Sequence, residues 1–285
     1  MLRVALPNKG RLAEDVRELF RDAGLEVRAR GERALVASLG GEFEAILVRA
    51  KDIPEFVADG AADVGVTGWD LVCESQRTLG MLLDLEFGAC RLVVAARDDS
   101  GIATVHDIIE SPRVATVFPH LAQQFFDAAA TPVTIVPVSG ATEIAPHLGI
   151  ADIIVDLTSS GSTLRVHQLH EVATVLESSA RLICSPGLSS DTARSADELA
   201  EALSSVLRAR DKRYVMANVP RESLDSARRV MPGVNGPTVI DILNGGTYVA
   251  VHAVVAQSAI YRTVADLKLL GAQGILVTRI ERLMP

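Results

Sequence analysis

Short apolar runs recur along the chain and are separated by stretches with helical periodicity. In the first 90 residues, apolar runs at 2–6, 45–48 and 63–67 predict buried strands. Between the first two runs, the apolar residues from Leu12 to Phe20 recur with helical spacing and predict a helix with one buried face. The region therefore has the alternation of strands and helices that is typical of α/β proteins.

A second block with the same alternation follows. Strands are expected at 91–96, 114–118, 132–138 and 150–157, with helices at 121–129 and 141–148. The chain then returns through two further apolar runs, at 173–176 and 181–184. Strands that alternate with helices favour parallel βαβ units, so we expect a parallel sheet in this block.

The last third of the chain has an order of its own. The segment from Ser195 to Glu198 has the sequence of a capping box, which predicts that a connecting helix begins there and ends near Arg210. Beyond it, we expect strands at 214–219, 237–243, 247–255 and 275–280, and helices at 221–230 and 260–267. Residues 244–246, Asn-Gly-Gly, predict a hairpin turn. This βαββαβ order predicts a ferredoxin-like domain.

Composition excludes several classes of function. The chain has 285 residues, of which 48% are hydrophobic and 22% charged, an ordinary balance for a globular protein with two or three domains. Its net charge of −8, without a basic block, disfavours nucleic-acid binding. No apolar run reaches the roughly 18 residues of a membrane span, and the N-terminus does not resemble a signal peptide. Together with three sparse cysteines, these features predict a cytoplasmic protein without disulfides.

The strongest chemical signal is a loop of small hydroxylic residues after the apolar run Ile153–Val155. Asp156 and Leu157 close that run, and residues 158–163 then read Thr-Ser-Ser-Gly-Ser-Thr. A strand, a loop of this composition and a helix start together form a cradle in which N–H and O–H groups donate to one anion. Asp156 can accept hydrogen bonds from a diol such as ribose. The alternative is a solvated turn that only caps a helix.

Cations follow two of the predicted strands in the first block. Lys9 lies between a strand end and a helix start, which is where open α/β sheets bind ligands. Arg49 and Lys51 follow the strand at 45–48. From the residues alone, the more common interpretation of all three is a solvated charge at the rim of the sheet.

A longer pattern around the loop resembles the signature of the ATP phosphoribosyltransferase family. The matching residues are Glu143, Gly149, Ala151, Ile154, Asp156, Leu157, Ser160, Gly161, Thr163 and Leu164. The Lys-Gly-Arg-Leu motif at 9–12 and the Gly-x-Asp-Leu motif at 68–71 are also similar to the family. The resemblance covers essentially the whole chain and is that of the long form.

The family catalyses the first step of histidine biosynthesis, so the resemblance implies an activity and roles for residues. It implies that adenine N1 of ATP attacks C1 of phosphoribosyl pyrophosphate, that pyrophosphate leaves, and that Mg²⁺ accompanies the pyrophosphate without a protein metal site. Catalytic roles are implied for Arg33, Arg49, Glu143 and Asp156. Substrate contacts are implied for Lys9, Gly10, Lys51, Asp70, Thr158, Ser159, Ser160, Gly161, Ser162 and Thr163.

The resemblance also implies an architecture and its regulation. The expected architecture is a two-lobed catalytic region of the periplasmic-binding-protein type II class, with lobe I at 1–90 and 178–210 and lobe II at 91–177. A ferredoxin-like regulatory domain at 211–285 would bind histidine as a feedback inhibitor, through Asn218, Thr238, Gly271 and Ala272. Gly236 and Gln273 depart from the residues common in the family. A homo-oligomer, from dimer to hexamer, is expected.

Two other functions are possible for a chain of this pattern. A two-lobed fold also serves solute receptors that have no catalytic activity. Phosphoribosyltransferases of the more common type have two adjacent acidic residues before the loop, whereas here Val155 precedes Asp156. The receptor remains an alternative to be tested by turnover, and the common type of transferase does not fit the pattern.

Overall fold

The structure is a computed structural model that describes residues 1–31, 34–108, 111–243 and 246–284. The chain forms two compact units, Met1–Ala200 and Glu201–Pro285. The boundary falls inside a 21-residue helix, so the predicted connecting helix belongs in part to each unit. No helix among the described residues is both long enough and apolar enough to cross a membrane.

The first unit contains twelve of the strands found in the described chain. In chain order its elements are β1 (Arg3–Pro7), α1 (Ala13–Asp22), β2 (Val27–Ala29), β3 (Val36–Leu39), β4 (Phe43–Val48), α2 (Ile53–Ala58), β5 (Val64–Gly68), α3 (Trp69–Ser75), β6 (Gly80–Asp84), β7 (Cys90–Arg97), β8 (Arg113–Thr116), α4 (Pro119–Ala128), β9 (Thr134–Pro137), β10 (Ile153–Thr158), α5 (Ser162–Val166), β11 (Leu169–Ser178), β12 (Ala180–Cys184) and α6 (Ser190–Arg210).

These strands form two sheets, each the centre of one lobe. The sheet of lobe I has the order β2-β3-β4-β1-β5-β12-β6, in which β1 is parallel to both β4 and β5. The sheet of lobe II has the order β11-β7-β10-β8-β9. The chain passes between the sheets twice, from β6 to β7 and from β11 to β12. Two α/β lobes joined by two crossings are the predicted periplasmic-binding-protein type II architecture, which is confirmed.

The prediction of a parallel sheet in lobe II is wrong for one strand, β7. β10 is parallel to β8 and β8 is parallel to β9, whereas β7 lies between β10 and β11 and runs antiparallel to both, so β11 has the same direction as β10. The reason lies in the first crossing, because β7 enters lobe II directly from the other lobe. β7 is therefore not reached through a local βαβ unit, and the parallel rule does not apply to it.

Two local predictions were wrong. Residues 141–148 form no α-helix but a 3-10 helix, Thr142–Ile144, followed by turns, because Pro146 has no N–H to donate and its ring obstructs a regular helix. The connecting helix begins at Ser190, so the capping-box sequence at Ser195 lies inside it. Ser189 caps this earlier start, since its Oγ accepts from the Thr192 N–H at 3.3 Å.

Strand β10 is buried on both faces, which explains its unbroken apolar run. Ile153 and Val155 pack on one side with Phe126, whereas Ile154 packs on the other side with Leu164. A strand buried on both faces does not alternate between apolar and polar residues. Asp156 lies two residues after Ile154 in the strand, so its side chain is on the same face as that of Ile154, which packs with Ala145 and Ala151.

The second unit is the predicted ferredoxin-like domain. It contains the end of α6, then β13 (Lys212–Pro220), α7 (Leu224–Val230), β14 (Thr238–Asp241), β15 (Tyr248–Ala256), α8 (Ile260–Leu269) and β16 (Gln273–Arg279). The sheet is antiparallel with the order β14-β15-β13-β16. Alternate residues of β13 and β15 are buried, and they pack with Leu267 of α8. The predicted hairpin turn includes Asn244 and Gly245, which lie outside the described residues.

Candidate active site

The hydroxylic loop forms a tight turn between β10 and α5. Gly161 has φ +72°, a left-handed conformation that suits glycine, and its N–H donates to Thr158 Oγ1 at 2.9 Å. Ser160 Oγ donates to Ser162 Oγ at 3.0 Å. Thr158 and Gly161 are buried, whereas the four remaining loop residues are exposed. The turn is therefore fixed from inside, and its serine and threonine hydroxyls remain available to a ligand.

An acidic pair lies beside this loop. Asp156 is largely buried, and its Oδ1 accepts the N–H of Leu157 at 2.8 Å. Burial, assisted by the nearby negative charge of Glu143, raises the pKa of Asp156 above its usual value, while hydrogen bonds from Leu157 and Thr142 oppose the rise. The structure thus brings Glu143 and Asp156 together, as the sequence signature predicts. Thr142, which the sequence reasoning missed, is buried and its side chain hydrogen-bonds to Asp156.

A charged pair supports the loop from the neighbouring strands. Arg91 binds Glu171 through two hydrogen bonds, Nη1 to Oε2 at 2.6 Å and Nη2 to Oε1 at 2.9 Å. A Cβ atom added at Gly161 would lie 3.3 Å from Glu171 Oε1 and 3.3 Å from Arg165 Nη1. The carboxylate is therefore in close contact with the turn of the loop. Sequence reasoning identified neither Arg91 nor Glu171.

A cavity of about 430 Å³ lies where the chain crosses between the lobes. Its lining includes Ser159 of the loop, Arg91, and residues from both crossings: Asp84, Ala89, Cys90, Glu177, Ser178, Ser179 and Arg181. Arg181 pairs with Asp84, whose other contacts include a hydrogen bond from Ser179 at 2.9 Å. Burial acts to raise the pKa of Asp84, but the hydrogen bonds from the Glu86 N–H and Ser179, together with the charge of Arg181, lower it below its usual value. The cavity offers both signs of charge beside the hydroxylic loop.

The predicted cations of lobe I lie together at one edge of its sheet. β1 and β4 are parallel neighbours, and the Asn8 N–H donates to Val48 O at 2.8 Å, so their carboxyl ends are adjacent. Lys9 and Gly10 follow β1, and Arg49 and Lys51 follow β4; all four are exposed. This edge is where ligands bind in open α/β sheets. Arg33 lies outside the described residues.

Asp70 occupies a different environment from the other candidates. It is 2% exposed at the start of α3, and its Oδ1 accepts the Ser178 hydroxyl at 2.5 Å. The Ser178 Oγ in turn accepts the Asp70 N–H at 3.0 Å. The carboxylate is thus engaged with the crossing between β11 and β12, and its predicted contact with the nucleotide stays a prediction.

The sequence matches the family described as ATP phosphoribosyltransferase over residues 49–205, and the family described as HisG, C-terminal domain over residues 209–282. The chain belongs to the ATP phosphoribosyltransferase family. The C-terminal match confirms the long form, and the predicted enzyme class, a pentosyltransferase of histidine biosynthesis (EC 2.4.2.17), is confirmed with it.

Relatives support the assignment over the full length. An ATP phosphoribosyltransferase of Gemmatimonas aurantiaca is 66% identical over 292 residues and covers all of both chains. One from Haloarcula marismortui is 49% identical, over 99% of this chain and 100% of its own. Among solved structures, a chain from the ATP phosphoribosyl transferase (HisG:HisZ) complex of Thermotoga maritima aligns with a TM-score of 0.65 at 28% identity. That alignment covers 73% of this chain and 99% of the other.

The effector residues predicted for this long-form transferase do not all meet within one chain. Asn218 of β13 lies opposite Gln273, and a Cβ at Gly271 would lie 3.3 Å from Pro220, so Asn218, Gly271 and Ala272 share one corner of the domain. Thr238 begins β14 and pairs with His252 of β15. Since strands are about 4.8 Å apart, Thr238 lies about 10 Å or more from β13.

Proposed function

We propose that this chain transfers the 5-phosphoribosyl group of phosphoribosyl pyrophosphate to N1 of ATP and is inhibited by histidine. The N1–C1 bond forms as the bond from C1 to the pyrophosphate oxygen breaks, and pyrophosphate leaves with the bonding electrons. The observation that carries the proposal is the match at 49–205. It contains the hydroxylic loop and the pair Glu143 and Asp156, which the fold brings to the same place.

In lobe II, the loop at 158–163 holds the 5-phosphate through its exposed hydroxyls and N–H groups. Asp156 accepts hydrogen bonds from the ribose hydroxyls, and Glu143 orients the ribose. The raised pKa of Asp156 fits this role, because a desolvated carboxylate gains more from two hydroxyl donors than a hydrated one does. The reaction needs positioning and charge stabilisation rather than a covalent intermediate on the protein.

In lobe I, Lys9, Arg49 and Lys51 offset the negative charge of ATP and of the departing pyrophosphate, and Arg33 belongs to the same proposed set. The support is their common edge, where two parallel strands end side by side. Exposed cations are suited to this task, since they retain mobility and meet the phosphates when the substrates arrive.

Mg²⁺ enters with the pyrophosphate group of the substrate. Magnesium loses its waters reluctantly and is commonly bound through substrate phosphates with one or two carboxylates. In the part of the chain that the structure describes, His, Cys, Asp and Glu side chains form no group of three or more able to hold a metal ion. Because magnesium is commonly bound through substrate phosphates, we assign the ion to the substrate complex.

Histidine binds the ferredoxin-like domain and inhibits the transfer at the catalytic site. Asn218, Gly271 and Ala272 form one part of its pocket, and Thr238 of a neighbouring subunit forms the other, because Thr238 lies on the far edge of the sheet of its own chain. The chain would therefore act as a homo-oligomer. Such inhibition requires a coupling free energy, typically about 1–3 kcal/mol, so the substrates must change histidine affinity by the same factor.

A turnover assay tests the transferase. The purified protein is incubated with ATP, phosphoribosyl pyrophosphate and Mg²⁺, and both pyrophosphate and a new near-ultraviolet absorber should accumulate in equal amounts. Each substrate omitted in turn is the control. Binding of one substrate without turnover, by folded protein, would instead support the solute receptor. Calorimetry with histidine tests the effector separately.

A further inference from the structure

The pair Arg91–Glu171 connects two positions that flank the hydroxylic loop. The Cα of Arg91 lies opposite Thr158, the last residue of β10, whereas Glu171 belongs to the edge strand β11 and pairs with Ala95. The guanidinium reaches along the sheet to make its two hydrogen bonds with Glu171. The pair thus runs from the strand beside the first loop residue to the buried turn at Gly161.

The charge of Glu171 is unexpected at this place. Residues 158–163 include no Lys or Arg, although the guanidinium of Arg165 approaches the turn at Gly161. A carboxylate beside a phosphate site repels the ligand unless it is neutralised. Arg91 holds both carboxylate oxygens in the planar, bidentate geometry that Lys cannot provide. Arg91 thereby cancels the charge and fixes the orientation of Glu171 against the loop.

We propose that Arg91 is a positioning residue, which acts through Glu171 to hold the turn at Gly161 and to mask a negative charge at the phosphoribosyl site. This proposal rests on the proposed function of the loop. It makes an asymmetric prediction: Arg91 removed alone leaves the charge of Glu171 without its partner, whereas both side chains removed together remove that charge as well.

The test uses Arg91→Met, which keeps the apolar stem of the side chain, and the double variant Arg91→Met/Glu171→Met. We expect the KM for phosphoribosyl pyrophosphate to rise about tenfold in the single variant, with kcat and the KM for ATP within twofold of wild type. The double variant should return to within about threefold of wild type. Arg113→Met is the matched control, because Arg113 pairs with Asp152 at the opposite end of β10 and should have no effect.

Hydrogen exchange of the loop provides a readout that needs no substrate. Amides of residues 158–166 should exchange several-fold faster in Arg91→Met than in Arg113→Met. The proposal would be overturned if Arg91→Met had the same kinetics and the same exchange rates as Arg113→Met. It would also be overturned if the double variant had a higher KM for phosphoribosyl pyrophosphate than Arg91→Met. Wild-type protein that neither binds nor uses phosphoribosyl pyrophosphate would contradict the proposed function. If the exchange rates of Arg91→Met and Arg113→Met still differ in that case, the structural role of the pair Arg91–Glu171 in holding the loop would stand without it.

Discussion

The two lobes contribute to the site in opposite ways. In lobe II the chemical groups are built into the fold: Gly161 is bonded to Thr158, Asp156 is largely buried, and its neighbours shift its pKa. In lobe I, Lys9 and Arg49 are exposed at the ends of strands. Under the proposed function, the ordered groups of lobe II would position the ribose phosphate, and the exposed cations of lobe I would contact the polyphosphates. The two sides should respond differently to substitution.

The largest effect is expected from Gly161→Ala. The new methyl group would meet Glu171 and Arg165 at 3.3 Å, and the left-handed φ of +72° adds strain. A loop displaced by about 1 Å misplaces the phosphate, which reduces kcat/KM by about a hundredfold. Steady-state kinetics measures this loss.

Gly101→Ala is the control for backbone strain in that experiment. Gly101 has φ +75° in a lobe II loop, but its methyl group would contact nothing within 4 Å. The melting temperature of Gly101→Ala should fall, as that of Gly161→Ala does, while the kinetics of Gly101→Ala should be those of wild type. Equal kinetics in the two variants would show that the loop does not bind substrate.

The next largest effect is expected from Asp156→Asn, with about 10- to 100-fold lower kcat/KM. Hydrogen bonds to a charged group contribute about 1.5–3 kcal/mol, and the amide accepts them less strongly. Asp152→Asn, at the other end of β10, is the matched control and should retain activity. Wild-type kinetics in Asp156→Asn would remove the carboxylate from the mechanism.

The same variant should have a characteristic stability profile. The pKa of Asp156 is raised in the folded protein, so the folded state binds its proton more tightly than the unfolded state does. Stability from this group is present below its usual value of 3.8 and is lost as pH rises through the raised value. Asp156→Asn should therefore melt at a higher temperature than wild type near pH 7, and the difference should shrink towards pH 4. A lower melting temperature at pH 7 would contradict this account.

In lobe I, Arg49→Ala should lower kcat/KM about tenfold without changing the melting temperature. A single charge-assisted contact is lost from the substrate complex, whereas an exposed arginine contributes little to folding. Arg17→Ala, an exposed arginine on α1, is the control. Unchanged kinetics with a lower melting temperature would show that Arg49 has a structural role. The proposed difference between the ordered groups of lobe II and the exposed cations of lobe I would then be wrong.

Most strands could be predicted from the sequence because they are apolar on one or both faces. The loop could be predicted because its small hydroxylic residues are consecutive in the chain. Sequence reasoning missed the direction of β7, which depends on the crossings rather than on neighbouring residues. It also missed Arg91–Glu171, whose members are 80 residues apart, and the bond of Asp70 with Ser178, 108 residues away. Such pairs leave no periodic or compositional pattern, and only the tertiary fold reveals them.

The smallest effect is expected in the ferredoxin-like domain, where Thr238→Ala should weaken histidine inhibition about two- to tenfold. One neutral hydrogen bond contributes about 0.5–1.5 kcal/mol, and Thr238 is remote from Asn218 within its own chain. The activity without histidine should be unchanged. The control is Thr278→Ala, because Thr278 is exposed on β16, the opposite edge of the same sheet. Inhibition curves and calorimetry give the histidine affinity of each variant.

If histidine completes its pocket between subunits, its affinity should also fall when the protein is diluted until the oligomer dissociates. Binding that is independent of protein concentration and unaffected by Thr238→Ala would place the effector within one chain, at the corner formed by Asn218 and Gly271.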